Sequence, residues 1–235
     1  MSSPARRFYK TARAADDGAG TGVMLDERRL RTPNGQPFNS PTRALAEAIA
    51  AEWRAQGEHI IPATMPLTQL AFAAIDHTPE RRDDLIQYIA KFGETDLVCH
   101  RAESPPPLVA RQSMLWDPLI GFGLRDLGIM LPVVTGVLPA AVPRESLETL
   151  AAHAAAADDF RLTALVQAAG LAGSALVAFA LINGRLDAEQ AFATAALDDL
   201  WAQETWGRDE EAAARLDRQR AEFENIARFI ALLND

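Results

Sequence analysis

The sequence predicts an α+β protein, with a small β-containing N-terminal domain over residues 1–78 and a larger all-helical domain over residues 79–235. Three observations carry this. The first forty residues break into short β-favouring runs separated by Gly, Asn and Asp. From residue 40 onward, apolar residues recur at the three-and-four spacing of amphipathic helices. At several points a capping residue is followed by proline, the pattern of a chain restarting a helix.

Taken in order, FYK, VMLDERRLRT and QPF read as a small antiparallel meander, with Asn34-Gly35 the strongest turn signal. In SPTRALAEAIAAEWRAQG, Ser40 is expected to cap, Pro41 suits the first helical turn, and Leu45, Ile49 and Trp53 recur every four residues before Gly57 stops the helix. Trp53 is therefore a structural, core-facing residue. MPLTQLAFAAID (65–76) and TPERRDDLIQYIAKFG (78–93), the latter capped at Thr78, continue the pattern. SPPP (104–107) reads as a stiff connector, and Trp116 and Asp117 as structural, with Asp117-Pro118 starting another helix. A β-like run, IMLPVVTGV (129–137), precedes helices over 143–157, 159–182, 187–206 and 208–233. In the last, Leu216, Phe223, Ala227 and Ile230 form one apolar stripe.

Composition narrows the function. Hydrophobic residues make up 49% and charged residues 23%, ordinary for a globular protein with a core. The net charge of −9 argues against nucleic acid as a partner, because a phosphate backbone requires clustered cations. Charge is uneven: residues 1–31 hold seven Arg or Lys against four acids, while residues 187–235 hold five Arg against twelve. One cysteine, Cys99, allows no internal disulfide, and His59, His77, His100 and His153 have no zinc-site spacing, so no metal is expected. The opening MSSPARRFYK lacks an apolar signal core, and GLAGSALVAFALI (170–182) is too short to span a bilayer, so no membrane insertion is expected. Bacterial cytoplasm, or an organelle matrix, fits.

Catalytic signatures are weak. GAGTG (18–22) precedes a strand and lacks the Lys-Ser/Thr of a phosphate-binding loop, and GFGLRD (121–126) lies within a helical pattern, so neither nucleotide nor other cofactor is expected. Ser174 in GSAL has no nucleophile-elbow pattern and reads as a small residue at a helix contact. Cys99 and His100 adjoin, but neighbouring residues rarely face each other, which favours a buried structural thiol. No catalytic residue is assigned. Glu94 with Asp96 and Asp198 with Asp199 are the remaining acid pairs. A hydrolase or transferase built on them would hold Glu94 or Asp96 beside Asp198 or Asp199 in a deep cleft, with a raised pKa.

The densest acids fall in QETWGRDEEA (203–212). Asp187 and Gln190 make a capping box, so a helix runs to Trp206 and ends at Gly207, expected in the left-handed conformation. Asp209 then caps the next helix, with Glu210 and Glu211 in its first turn, where the helix dipole favours negative charge. Glu204 remains unexplained, since a last turn disfavours an acid. Asp199, Gln203, Trp206 and Glu210 would share a face if the helix continued, and tryptophan at a polar rim is typical of protein-binding surfaces.

Seven segments, RRFYK (6–10), VMLDERRLRTP (23–33), AAEW (50–53), MPLTQLAFAAID, GETDLVCHRA (93–102), WDPL (116–119) and QETWGRDEEA, occur in the order and spacing of one family. On them the chain resembles the ATP synthase F(1) assembly chaperones that bind the free alpha subunit. It departs at Glu27, where the family often has glycine, and at Phe92-Gly93, where Tyr-Ala is usual. The resemblance implies a chaperone without enzymatic activity or nucleotide use, holding unassembled alpha until it pairs with beta. It also implies a cytoplasmic site in bacteria and the mitochondrial matrix in eukaryotic relatives. It marks the acidic WG segment as functional, its important glutamate matched by Glu204 or Glu210, and makes Trp53 important for folding. The expected partner-binding residues are Glu204, Trp206, Asp209, Glu210, Asp199 and Gln203, with Gly207 shaping the corner. A non-chaperone adaptor is the other binding alternative.

Overall fold

ARAAD and TGVML form β1 (Ala12–Asp16) and β2 (Thr21–Leu25), paired antiparallel from Ala12 opposite Leu25 to Asp16 opposite Thr21, with Ala12, Val23 and Leu25 buried. The computed structural model of the protein describes residues 5–16, 18, 20–136 and 140–235. β3 (Arg28–Arg29) joins β2 through a tight turn in which Asp26 adopts φ 51°. That conformation is stabilised locally: the Asp26 carboxylate accepts the backbone N–H groups of Lys10 and Thr11. The three strands make an antiparallel meander, but not from the expected segments. The first strand is ARAAD and not FYK, VMLDERRLRT is split between β2 and β3 by the turn at Asp26, and QPF contributes only an isolated bridge between Pro37 and Arg31.

α1 (Arg43–Arg54) buries Leu45, Ile49 and Trp53. Its cap is Thr42, which accepts the Leu45 N–H at 3.1 Å, and not Ser40, whose hydroxyl donates to the Thr42 carbonyl. The helix ends at Ala55, two residues before Gly57. Tyr9 donates its hydroxyl to the Trp53 carbonyl at 2.7 Å, and the two rings lie 5.6 Å apart. α2 (Pro66–Asp76) has no capping side chain of its own; Glu52 of α1 accepts the N–H groups of Leu67 and Thr68, both at 2.8 Å. At its other end Asp76 accepts the Thr32 hydroxyl and the Asn34 N–H, which pins the Asn34-Gly35 turn.

These elements form one unit, reaching Arg81 and including Arg228–Asp235; residues 82–227 form a second. The last eight residues were expected in the helical domain. They group with the first unit because Phe229, Ile230 and Leu233 are buried and the Leu232 carbonyl accepts the Thr42 hydroxyl at 2.6 Å.

Among its described residues the second unit is mainly helical, with one pair of short strands. α3 (Arg82–Phe92) leads through a 3-10 turn, Leu97–Cys99, to β4 (His100–Arg101). Gly93, just past α3, leaves room for the side chains of Leu147 and Leu150, since a Cβ there would lie 2.5 Å from Leu150. α4 (Pro106–Asp126) begins inside SPPP and runs through Pro118, so Asp117 is not a helix cap. It lies mid-helix and pairs with the buried Arg101 at 2.9 Å. Trp116 beside it is wholly buried, donating its indole N–H to the Thr194 carbonyl at 3.0 Å with the Arg101 guanidinium over its ring. Of the β-like run only β5 (Val134–Thr135) is a strand, parallel to β4, and Val137 lies outside the described residues.

α5 (Arg144–Ala156) follows as expected. The predicted helix over 159–182 is two: α6 (Asp159–Ala172) stops at Gly173, φ 64°, and α7 (Ala175–Ile182) starts at Ser174, whose hydroxyl accepts the Val177 N–H at 3.0 Å. Ser174 is thus a buried cap and more than a small contact residue. The helix expected over 187–206 also breaks, at Ala196, into α8 (Ala188–Ala195), with its capping box, and α9 (Leu197–Trp206). α10 (Glu210–Asn234) completes the chain. No helix among the described residues is long and apolar enough to cross a membrane.

Candidate protein-binding corner

α9 ends at Trp206 because Gly207 takes φ 99° and ψ 161°, an extended positive-φ conformation available essentially to glycine alone. This differs from the left-handed cap expected there, although the Gly207 N–H still bonds to the Gln203 carbonyl at 3.1 Å. Asp209 caps α10 as expected, accepting the Ala212 N–H at 2.7 Å, and Glu210 and Glu211 fill its first turn. The sharp exit leaves the Trp206 side chain in solvent, 79% exposed, in the midst of the acids.

Because the helix does not continue, the shared face expected for Asp199, Gln203, Trp206 and Glu210 is not formed. Asp199 pairs with Arg215 of α10 at 3.0 Å. The Gln203 side-chain nitrogen is buried without a hydrogen-bond partner. Glu204 is gripped by Arg111 of α4, whose two terminal nitrogens donate to its two oxygens at 2.6 and 3.0 Å. This bond holds the Glu204 carboxyl below its ordinary pKa and raises that of Arg111. It also explains an acid in a last helical turn. Sequence reasoning missed Arg111, as nothing in RQSMLW connects it to a glutamate 93 positions on, and it missed the 69% exposed Met114 one turn along α4.

The acids expected of an enzyme are engaged separately. Asp96 is almost fully buried, caps the turn at Leu97–Cys99 through the Val98 N–H, and accepts the Leu176 N–H at 3.2 Å at the start of α7. Burial pushes its carboxyl up to about 6 against opposing hydrogen bonds from Ser174 and the backbone. Asp198 is exposed and accepts the Gln112 amide at 2.8 Å. Burial also pushes the Cys99 thiol up to about 12, which removes its nucleophilic character. Two cavities, about 320 Å³ beside Trp53, Met65 and Phe72 and about 350 Å³ beside His153 and Phe179, contain none of these acids. Among the described residues no group of His, Cys, Asp and Glu could hold a metal ion.

The corner places an exposed tryptophan at the end of a helix within an acid-rich segment. The model of the ATP12 chaperone protein family matches residues 6–123. The crystal structure of Atp12 from Paracoccus denitrificans superposes with a TM-score of 0.92 at 41% identity, over 97% of this chain and 98% of that one. A structure described as a putative chaperone from Agrobacterium tumefaciens superposes with a TM-score of 0.89 at 37% identity, over 97% of this chain and 85% of that one. The mitochondrial protein atp12 of Schizosaccharomyces pombe is 25% identical over 219 residues, 88% of this chain and 75% of its own length. The chain belongs to the ATP12 chaperone family. Its function at that level is that of an ATP synthase assembly chaperone.

Proposed function

We propose that the protein binds the free alpha subunit of the ATP synthase F(1) sector in the bacterial cytoplasm, keeping it from aggregating until beta takes its place. The contact is centred on the corner made by Glu204, Trp206, Asp209 and Glu210, with Asp199 and Gln203 behind it. The observation that carries this is Trp206: a tryptophan 79% exposed costs solvation unless a partner covers it, and here it stands among charges that discourage indiscriminate sticking. Tryptophan is also the side chain most often decisive when an interface forms. The choice of alpha rests on the family resemblance of QETWGRDEEA.

Size-exclusion chromatography of purified alpha with an equimolar amount of the protein tests this. Co-elution of the wild type, lost with Trp206→Ala, is expected. Undiminished co-elution of Trp206→Ala would move the binding surface elsewhere, and no co-elution of the wild type would remove alpha as the client.

A further inference from the structure

We infer that Glu204 serves alpha binding through Arg111, as half of an ion pair that fixes the end of α9, and not as a free acid offered to the client; this rests on the reading of the corner as the alpha-binding surface. Three features of α4 and α9 lead here. The Arg111 fork meets both Glu204 oxygens, the most directional form an ion pair takes. The next residue of α4, Gln112, is buried and donates its amide to Asp198 in the first turn of α9. Two consecutive residues of α4 thus hold α9 at both of its ends. Beyond the grip on Glu204 only Thr205 intervenes before Trp206, so the exposed indole is two residues from the fixed point.

The remaining acids support the same assignment. Asp199 is paired with Arg215, and Asp209 is occupied as a cap, so most of the negative charge is neutralised or engaged within the chain. A free Glu204 would face the negative end of its own helix. Arg111 is a positioning residue: it converts an unfavourable acid into an anchor and sets where Trp206 stands.

A charge swap tests the inference. Alpha binding is titrated for Arg111→Glu, Glu204→Arg and the double variant, with the melting temperature of each recorded. Each single change is expected to weaken binding roughly tenfold, and the double variant to return it to within about threefold of wild type, because the pair re-forms with its signs exchanged. Arg111→Lys, which keeps the charge but loses the fork, should fall between and provides a folded variant if a reversal does not fold. Arg144→Glu, at an exposed pair on α5, should leave binding unchanged. If the double variant binds as weakly as Glu204→Arg alone, Glu204 meets the client directly and the inference falls while the corner reading stands. If Trp206→Ala also binds normally, the corner reading itself fails.

Discussion

Asp96 and Glu204 are carboxylates of the same unit under opposite conditions. Asp96 lies in the core, where burial pushes its carboxyl up to about 6 and its oxygens fasten one helix start to a distant turn. Glu204 lies in solvent, held below the usual carboxylate range by the Arg111 fork. The comparison shows that a perturbed acid need not be a catalytic one. Burial raises the one and the Arg111 hydrogen bond lowers the other; both groups hold helices in place, and only the surface one stands next to a group with nothing covering it.

The sharpest way to break the comparison is to attack the buried side. Trp116→Ala, beneath Arg101, should cost about 3–5 kcal/mol of stability by denaturant unfolding, because it empties a closed site and orphans the Thr194 carbonyl. Asp96→Ala should cost about 3 kcal/mol by stranding buried N–H groups of Val98 and Leu176. A loss below about 0.5 kcal/mol would mean that Asp96 is not a structural tie.

The pH dependence has a definite sign. A buried acid with a raised pKa binds its proton more tightly in the folded state, so its contribution is complete below the ordinary value of 3.8 and is lost as pH rises through about 6. Wild type should therefore lose up to about 3 kcal/mol relative to Asp96→Asn between pH 4 and pH 7. Parallel curves for the two proteins would contradict the burial of an ionisable group. On the exposed side the expectation reverses: Trp206→Ala should change stability by less than about 0.5 kcal/mol while weakening alpha binding roughly tenfold.

Much of this was legible in the sequence, for identifiable reasons. The presence of a small antiparallel sheet near the N-terminus, though not its segments, the burial of Trp53 and the capping box at Asp187 follow from turn chemistry and periodicity, which are local. The Asp209 cap and the stop at Gly207 were equally local. What failed was whatever depended on a second segment. Asp117-Pro118 looked like a helix start because the proline signal is the same whether a helix begins there or tolerates it. The apolar run through α6 and α7 hid the break at Gly173, since residues buried on all sides carry no periodicity, and the break at Ala196 carries neither glycine nor proline to mark it. Arg111 could not be found, because its partner is 93 positions away.

Holding unassembled alpha is the function proposed for this chain. It is tested most directly by following the aggregation of purified alpha by light scattering, with and without equimolar protein and with no ATP present, before and after adding beta. Suppression of scattering that is relieved into soluble alpha-beta when beta arrives is the predicted result. Undiminished scattering would contradict the claim.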